Sequence, residues 1–188
     1  MALTPSTMTS LGRPCAPFTL RDVTSGHTVR RSDFAGRPLL VMFICNHCPY
    51  VVHVQGALGP LAADLTAKGL AVVGICSNDV RTHPSDGPLP MAQTAKVQGW
   101  SFPYLHDEDQ SVARAFNAAC TPDFFLFDAA HELAYRGQLD GSRPGNGIPV
   151  TGEDIRAAVD AILAGRAPSA KQLPSMGCNI KWRAHAHD

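Results

Sequence analysis

Cys45 and Cys48 stand two residues apart in the stretch VMFICNHCPYVV. A C-x-x-C has two chemical uses. As a dithiol, one thiolate attacks a disulfide, and its neighbour attacks the mixed disulfide to release the product. As a ligand pair, two thiolates supply half of a tetrahedral zinc site. The bland reading is two buried cysteines with no chemistry. Here the pair falls where an apolar run gives way to a helical pattern. Cys48 followed by Pro49 reads as a helix N-cap, because proline suits the first helical position. The unpaired N–H groups and positive macrodipole end of such a terminus stabilise a thiolate and lower its pKa to about 3.5–7.5. His47, between the two cysteines, is expected to add partial positive charge, favour the reduced thiolate form and make the disulfide more oxidising. A zinc site would have to recruit His53, Cys120 or Cys178, since no second cysteine pair occurs at motif spacing.

The elements that must position the pair can be read from apolar spacing. PFTLRDVTSGHTVRRSDFAG predicts a hairpin turning at Ser25-Gly26. Pro38–Ile44 is a continuous apolar run, as expected of a strand covered on both faces. After Pro49, Val51, Val54, Leu58, Leu61 and Leu65 step by three and four along one helix face, and Gly69 ends the helix. Pro60 lies inside it, so a kink or break is expected there. Leu70–Cys76 is a second buried strand. HPSDGPLP reads as a Pro-rich loop before a short helix, Met91–Trp100. FPYLHD is a short strand, and Asp109 is placed to cap a helix over Ser111–Ala118. Strands Phe124–Phe127 and Leu133–Gly137 follow, joined by a tight turn. Thr151 and Asp154 form a capping-box pattern before a helix lined by Ile155, Val159 and Ile162, which Gly165 stops. Residues 1–165 are expected to form one domain. Residues 166–188 are expected to be a polar, flexible tail packing on or near its surface. Strands alternating with helices give an α/β class with a central mixed sheet flanked by helices and an N-terminal hairpin extension.

Composition narrows the function. The chain has 188 residues, 45% of them apolar, and a formal net charge of zero. That is enough apolar material for a core, without a basic stripe to hold nucleic acid or an anionic membrane. The longest apolar runs are strand-length, so no transmembrane segment is expected. The N-terminus lacks the pattern of a signal peptide, which points to a cytoplasmic, reducing location. The six cysteines are then read as reactive or metal-binding sooner than as a disulfide framework. Cys76 reads as core. Cys15 is given no role. His53 is expected to face solvent or core, and His185 and His187 to form a solvated end.

The segments RPCAPFTLRDV, GRPLLVMFICNHCPYV, AVVGICSND, FPYLHDEDQSVARAF, ACTPDFFLFD, YRGQLDGSRPGN and LPSMGCNIKW together resemble the thioredoxin-like superfamily. The branch is that of the peroxiredoxins (alkyl hydroperoxide reductase and thiol-specific antioxidant proteins), and the likeness is greatest to members carrying a C-x-x-C. The resemblance implies a thioredoxin fold with a cis proline, here Pro122, facing the cysteines. It implies that the backbone beside Pro122, at Thr121, pairs with a bound thiol partner. In thioredoxins the nucleophile lies about five residues past a core Phe. Phe43 stands five residues before Cys48, and peroxiredoxins carry Cys-Pro at their reactive cysteine. Cys48 is therefore expected to be the nucleophile and Cys45 to resolve it; the reverse order is the alternative. Where peroxiredoxins place Thr or Ser three residues before the reactive cysteine, this chain has Cys45. Arg136 in YRG is the candidate for their peroxide-site arginine. The acid and Trp of thioredoxins have no counterpart in the strand around Met42 and Ile44. Cys120 is either a third redox cysteine, a metal ligand or a spectator. Cys178 is either a distant resolving cysteine or part of a tail that packs down through Ile180 and Trp182. Asp140, Arg143 and Asn146 match a family segment and are expected to fix the loop before the last helix.

The leading expectation is thus a thiol–disulfide oxidoreductase acting on protein or small-molecule thiols and disulfides, without an organic cofactor. A thiol peroxidase acting on hydroperoxides is the alternative. A metal-binding or redox-sensing module built on Cys45, Cys48 and Cys120 is the reading from another class. The oligomeric state is left open.

Overall fold

The computed structural model describes residues 3–184. His185 and His187 lie outside the described residues. A seven-stranded mixed sheet forms the centre. Its strands are β2 (Thr19–Asp22), β3 (Thr28–Arg30), β4 (Leu39–Phe43), β5 (Ala71–Cys76), β6 (Tyr104–His106), β8 (Asp123–Phe127) and β9 (Leu133–Gly137), in the order β3-β2-β6-β5-β4-β8-β9. β4 runs parallel to β5 and antiparallel to β8. The expected hairpin is present as β2–β3 and extends the sheet through β6.

The two faces of β4 follow from its side-chain period of two. Leu40, Met42 and Ile44 enter one core layer with helix α1 (Pro49–Ala67), helix α2 (Pro88–Val97) and helix α4 (Glu153–Leu163). Leu39, Val41 and Phe43 enter the other, with helix α3 (Ser111–Phe116) and the N-terminal segment around Cys15 and Phe18. Both faces are covered, which is why every residue of the strand is apolar. The five residues expected on the inner face of α1 are all buried. α1 runs unbroken through Pro60. Gly56, whose carbonyl would have accepted the missing Pro60 N–H, is exposed and can be hydrated instead. Among the described residues no helix is long and apolar enough to cross a membrane.

Several boundaries differ from expectation. α2 starts at Pro88, three residues early, because prolines at its first turn replace N–H groups that have no intrahelical partner. The inner N–H groups of α3 are capped by buried Asp107, which accepts from Val112 at 3.2 Å and Ala113 at 2.9 Å. Asp109 caps as expected at the first residue, accepting the Ser111 N–H at 2.9 Å. The Thr151–Asp154 capping box does not form. Asp140 takes the N–H groups of Thr151 and Gly152 at 2.7 and 2.6 Å, and Asp154 accepts from Gln138. Asp140 also accepts from Ser142, so it does tie down the loop before α4.

The largest difference concerns the tail. It packs on the domain, and part of it does so as a buried strand. β10 (Met176–Asn179) is the central strand of a second sheet, between β1 (Leu3–Pro5) and the two-residue β7 (Cys120–Thr121). Cys178 pairs with Thr121 and Asn179 with Cys120. Ser175, Cys178 and Ile180 are buried, whereas Trp182 is partly exposed under the Arg114 guanidinium. Beyond β10, Ile180 N–H donates to Ala119, Asp79 N–H to Lys181, and Gln110 Nε2 to Lys181.

Candidate functional site

Cys45 follows β4 and Cys48 is the N-cap of α1, with Pro49 at the first helical position. Both are almost fully buried, at 1% and 0% exposure. The Thr121–Pro122 peptide is cis. Thr121 touches both cysteines: its Oγ1 is 3.2 Å from Cys45 Sγ, and its carbonyl accepts from Cys48 Sγ at 3.1 Å. All six cysteines are thiols in this structure.

The two thiols differ electrostatically. Cys48 is drawn down to about 4, foremost by a hydrogen bond from the Cys45 thiol. Burial opposes this, while the Cys178 thiol and the N–H groups of Val51 and Cys178 add to it. Cys45 is pushed well above the ordinary thiol range by the same Cys48 interaction, then by burial and by the nearby Asp86 carboxylate. Of the two thiols Cys48 is the one favoured to ionise, giving up its donation to the Thr121 carbonyl and accepting from Cys45.

Asp86 was not anticipated. It lies in the Pro-rich loop, on a 3-10 turn at Pro84–Asp86, and is fully buried beside the pair. Asn46 N–H donates to its Oδ1 at 2.7 Å, His47 Nδ1 lies 2.5 Å from its Oδ2, and Asn78 Nδ2 donates to Oδ2 at 2.8 Å. Burial pushes its carboxyl up, but the bonds from His47, Asn78 and Asn46 overcome this and hold it below the usual carboxylate range. The site therefore has a buried acid after all, delivered from after β5 and not from β4. His47 lies at the same cluster. It pairs with Asp86 and packs against the His83 ring, tilted, at 4.5 Å between centroids. Replacing Asp86 by Asn removes a negative charge beside Cys45. In a Cys48→Ser background, the expected result is Cys45 alkylation beginning at lower pH, read as rate against pH.

Asn78 has a second bond: its Oδ1 accepts the Lys181 N–H at 2.8 Å. One side chain thus joins the buried acid to the tail.

The remaining candidates are dispersed. Cys120 is fully buried, and burial raises its thiol first, then Asp123. Cys178 is not distant: it lies opposite Thr121 and its thiol interacts with that of Cys48. Arg136 is fully buried and occupied. Its guanidinium donates to Asp123 at 3.2 Å, to the Asn117 carbonyl at 2.9 Å and to Thr9, and covers the Phe125 ring at 4.3 Å. Phe125 belongs to the core layer opposite the one containing the cysteines, and Arg136 packs against that layer. Cys76 is buried core, and Cys15 is buried with its thiol pushed up to about 12, by burial first. His53 is half-buried, its Nε2 enclosed without a partner.

Among the described residues, Cys45, His47 and Asp86 bring three metal-ligand atoms within 4.8 Å of one another. This is not the expected Cys45, Cys48 and Cys120 set. Three donors fall short of the four a structural zinc site takes, and two of them are already bonded to each other.

The AhpC/TSA family model matches residues 11–136. The chain belongs to the AhpC/TSA family. A Mycobacterium tuberculosis (strain H37Rv) protein, named as a candidate peroxiredoxin, is 31% identical to this AhpC/TSA member over 117 residues. That match covers 62% of this chain and 69% of the relative. The crystal structure of an uncharacterized conserved protein from Geobacillus kaustophilus superposes with a TM-score of 0.96 at 52% identity, covering 99% of each chain. The crystal structure of a protein from Chlorobium tepidum, named as a candidate thiol:disulfide interchange protein DsbE, matches with a TM-score of 0.64 at 19% identity, over 82% of this chain and 98% of that one. The fold of this AhpC/TSA member is thioredoxin-like.

Proposed function

We propose that the protein is a thiol–disulfide oxidoreductase in which Cys48 is the nucleophile and Cys45 resolves it. The observation that carries this is the place of the pair: Cys48 is the N-cap of α1 and contacts the Thr121 carbonyl at 3.1 Å, with Cys45 Sγ 3.2 Å from the Thr121 hydroxyl; the lowered Cys48 and raised Cys45 thiols support it. Cys48 attacks one sulfur of a partner disulfide, and the other sulfur leaves as a thiolate. Cys45 then gives up its proton and attacks Cys48 Sγ, so that the second partner thiol leaves. Two electrons pass from the dithiol to the partner. The reverse sequence oxidises a dithiol partner. The location proposed for this chemistry is the cytoplasm.

The test is the pH dependence of alkylation, with Cys45 and Cys48 followed separately by peptide mass spectrometry. Cys48 is expected to react at a rate that stays level from about pH 5 upward and falls only toward pH 4. Cys45 is expected to lag until above about pH 8.5, the ordinary thiol value. Equal reactivity of the two, with an ordinary thiol profile, discards the assignment. Cys48→Ser is expected to reduce exchange with a small disulfide to background, whereas Cys45→Ser keeps the initial attack.

The low Cys48 value also sets a stability relation. Its folded pKa lies below that of the unfolded thiol, so ionisation stabilises the folded dithiol fully above about pH 8.5. That stabilisation is lost as pH falls through about 4. A disulfide at Cys48 abolishes it. The oxidised protein is expected to unfold at lower denaturant concentration than the reduced protein at pH 7, with the gap closing toward pH 4. An oxidised form more stable than the reduced one at pH 7 would contradict the reading.

Family membership favours a second reading, a thiol peroxidase. The Cys48 thiolate would take one oxygen from a hydroperoxide, releasing an alcohol or water and leaving a sulfenic acid. Cys45 would then close the disulfide with loss of water. Hydrogen peroxide turnover with a thiol reductant decides between them, and no turnover above background discards the peroxidase.

A further inference from the structure

Cys48 has no exposed surface, and the protein's own tail packs beside it, with Cys178 in the same buried cluster. β10 hydrogen-bonds along β7, the strand that leads into Pro122. Ser175 Oγ donates to the Pro122 carbonyl at 2.7 Å, and Ser6 N–H donates to Ser175 at 2.8 Å. Gly177 lies so close that a Cβ there would come within 2.0 Å of the Thr121 carbonyl oxygen. The register sets Cys178 directly across from Thr121, whose carbonyl contacts Cys48 Sγ at 3.1 Å. The edge that a partner chain would use to approach Cys48 is therefore filled, and filled by a strand that carries a thiol.

We propose that β10 occupies the place of a partner strand and that Cys178 is an internal exchange partner of Cys48, so that a Cys48–Cys178 disulfide is a state of this protein that clamps the tail over its own site. The inference rests on Cys48 being the reactive thiolate. The step balances with a small disulfide as oxidant. Cys48 attacks one sulfur, and the first small thiol departs. Cys178 passes its proton to that departing thiolate and attacks Cys48 Sγ. The Cys48–Cys178 bond forms and the second small thiol leaves after taking up a solvent proton. Two cysteine thiols are oxidised and one small disulfide is reduced to two thiols. The register that sets Cys178 opposite Thr121, whose carbonyl lies 3.1 Å from Cys48 Sγ, brings the two cysteines together for this attack. The clamp has a physical consequence: while it is closed, no larger disulfide reaches Cys48. A thiol reductant reopens the site by reversing the same exchange.

The experiment treats the full-length protein with glutathione disulfide, blocks remaining thiols, and maps linkages in a non-reducing tryptic digest. Cys45 and Cys48 share one tryptic peptide and Cys178 lies in another, so the two disulfides differ in connectivity. The expected result is a Cys48–Cys178 cross-linked peptide in the wild type. In Cys45→Ser it should be the main intramolecular disulfide, at least about tenfold over Cys48–Cys120. Cys120 is the control, being buried on the neighbouring strand. The cross-link should be absent in Cys178→Ser. Wild type giving only Cys45–Cys48, with Cys45→Ser remaining a glutathione mixed disulfide at Cys48, overturns the inference and leaves the oxidoreductase reading intact. No modification at Cys48 in any variant overturns both.

Discussion

Gly177→Ala is expected to raise the alkylation rate of Cys48 by about ten- to a hundredfold. The added methyl would meet the Thr121 carbonyl oxygen at 2.0 Å and its carbon at 2.6 Å. Both are backbone atoms in a strand held by β10 on one side and followed by Pro122, so neither can rotate away. Over-packing of this kind costs about 1–3 kcal/mol. It falls on a strand whose detachment is local, because β10 contributes four residues and the central sheet is built without it. The cheapest relief is to lift β10 from β7, which uncovers Cys48. Each ~1.4 kcal/mol of that cost shifts the open population tenfold. The measurement is the Cys48 alkylation rate at pH 7 alongside the global unfolding midpoint. An unchanged rate in a protein that is still folded would show that β10 is not what limits access.

Arg136→Met is expected to destabilise the protein by about 3–5 kcal/mol at pH 7–8, the cost of leaving a buried charge without its partner. Arg136 and Asp123 are both fully buried. Asp123 Oδ1 and Arg136 Nε have no protein partner, so the pair has little redundancy. Burial pushes the Asp123 carboxyl up to about 6 and Arg136 opposes that rise. Without the guanidinium it rises further. The sign follows: a carboxyl whose folded pKa exceeds its unfolded value of about 3.9 favours the folded state when protonated and loses that contribution as pH rises. The penalty of the substitution should therefore shrink between pH 8 and pH 5. Denaturant melts of both proteins across that range test it, and a penalty that is flat or grows toward pH 5 rejects the account.

The central sheet and its helices were legible because their residues report on their own surroundings. β4 and β5 are apolar on both faces, and Val51, Val54, Leu58, Leu61 and Leu65 mark the inner face of α1 by spacing alone. The pair at the helix start was legible for the same reason: Cys48-Pro49 is a local N-cap pattern. Asp86 was not legible. It is one acid in a loop rich in proline and glycine, and only the packing of that loop against the segment after β4 brings it to Cys45, about 40 positions earlier in the chain. β10 escaped for a related cause. MGCN is only four residues long, too short for the alternation of Met176 and Cys178 to stand out, and its partner β7 is two residues long. A strand so short is fixed by its neighbours and by the fit of Gly177, neither of which a single window of sequence contains. Thr151–Asp154 shows the opposite error, a correct local pattern displaced by a better acceptor, Asp140, from outside the window.

Asn78 gives one of its side-chain atoms to the Asp86 carboxylate and another to the backbone of Lys181. The two contacts belong to one rigid amide, so they are not independent. If seating the tail fixes that amide and thereby strengthens the ionised acid, then the ionised acid must strengthen the seating of the tail by the same factor. Proton affinity on one side of the amide and tail affinity on the other are conjugate quantities. Asp86 also bears on Cys45, so the resolving thiol stands within the same linkage. Acidifying the solution, cutting the tail and perturbing Cys45 are three handles on a single equilibrium.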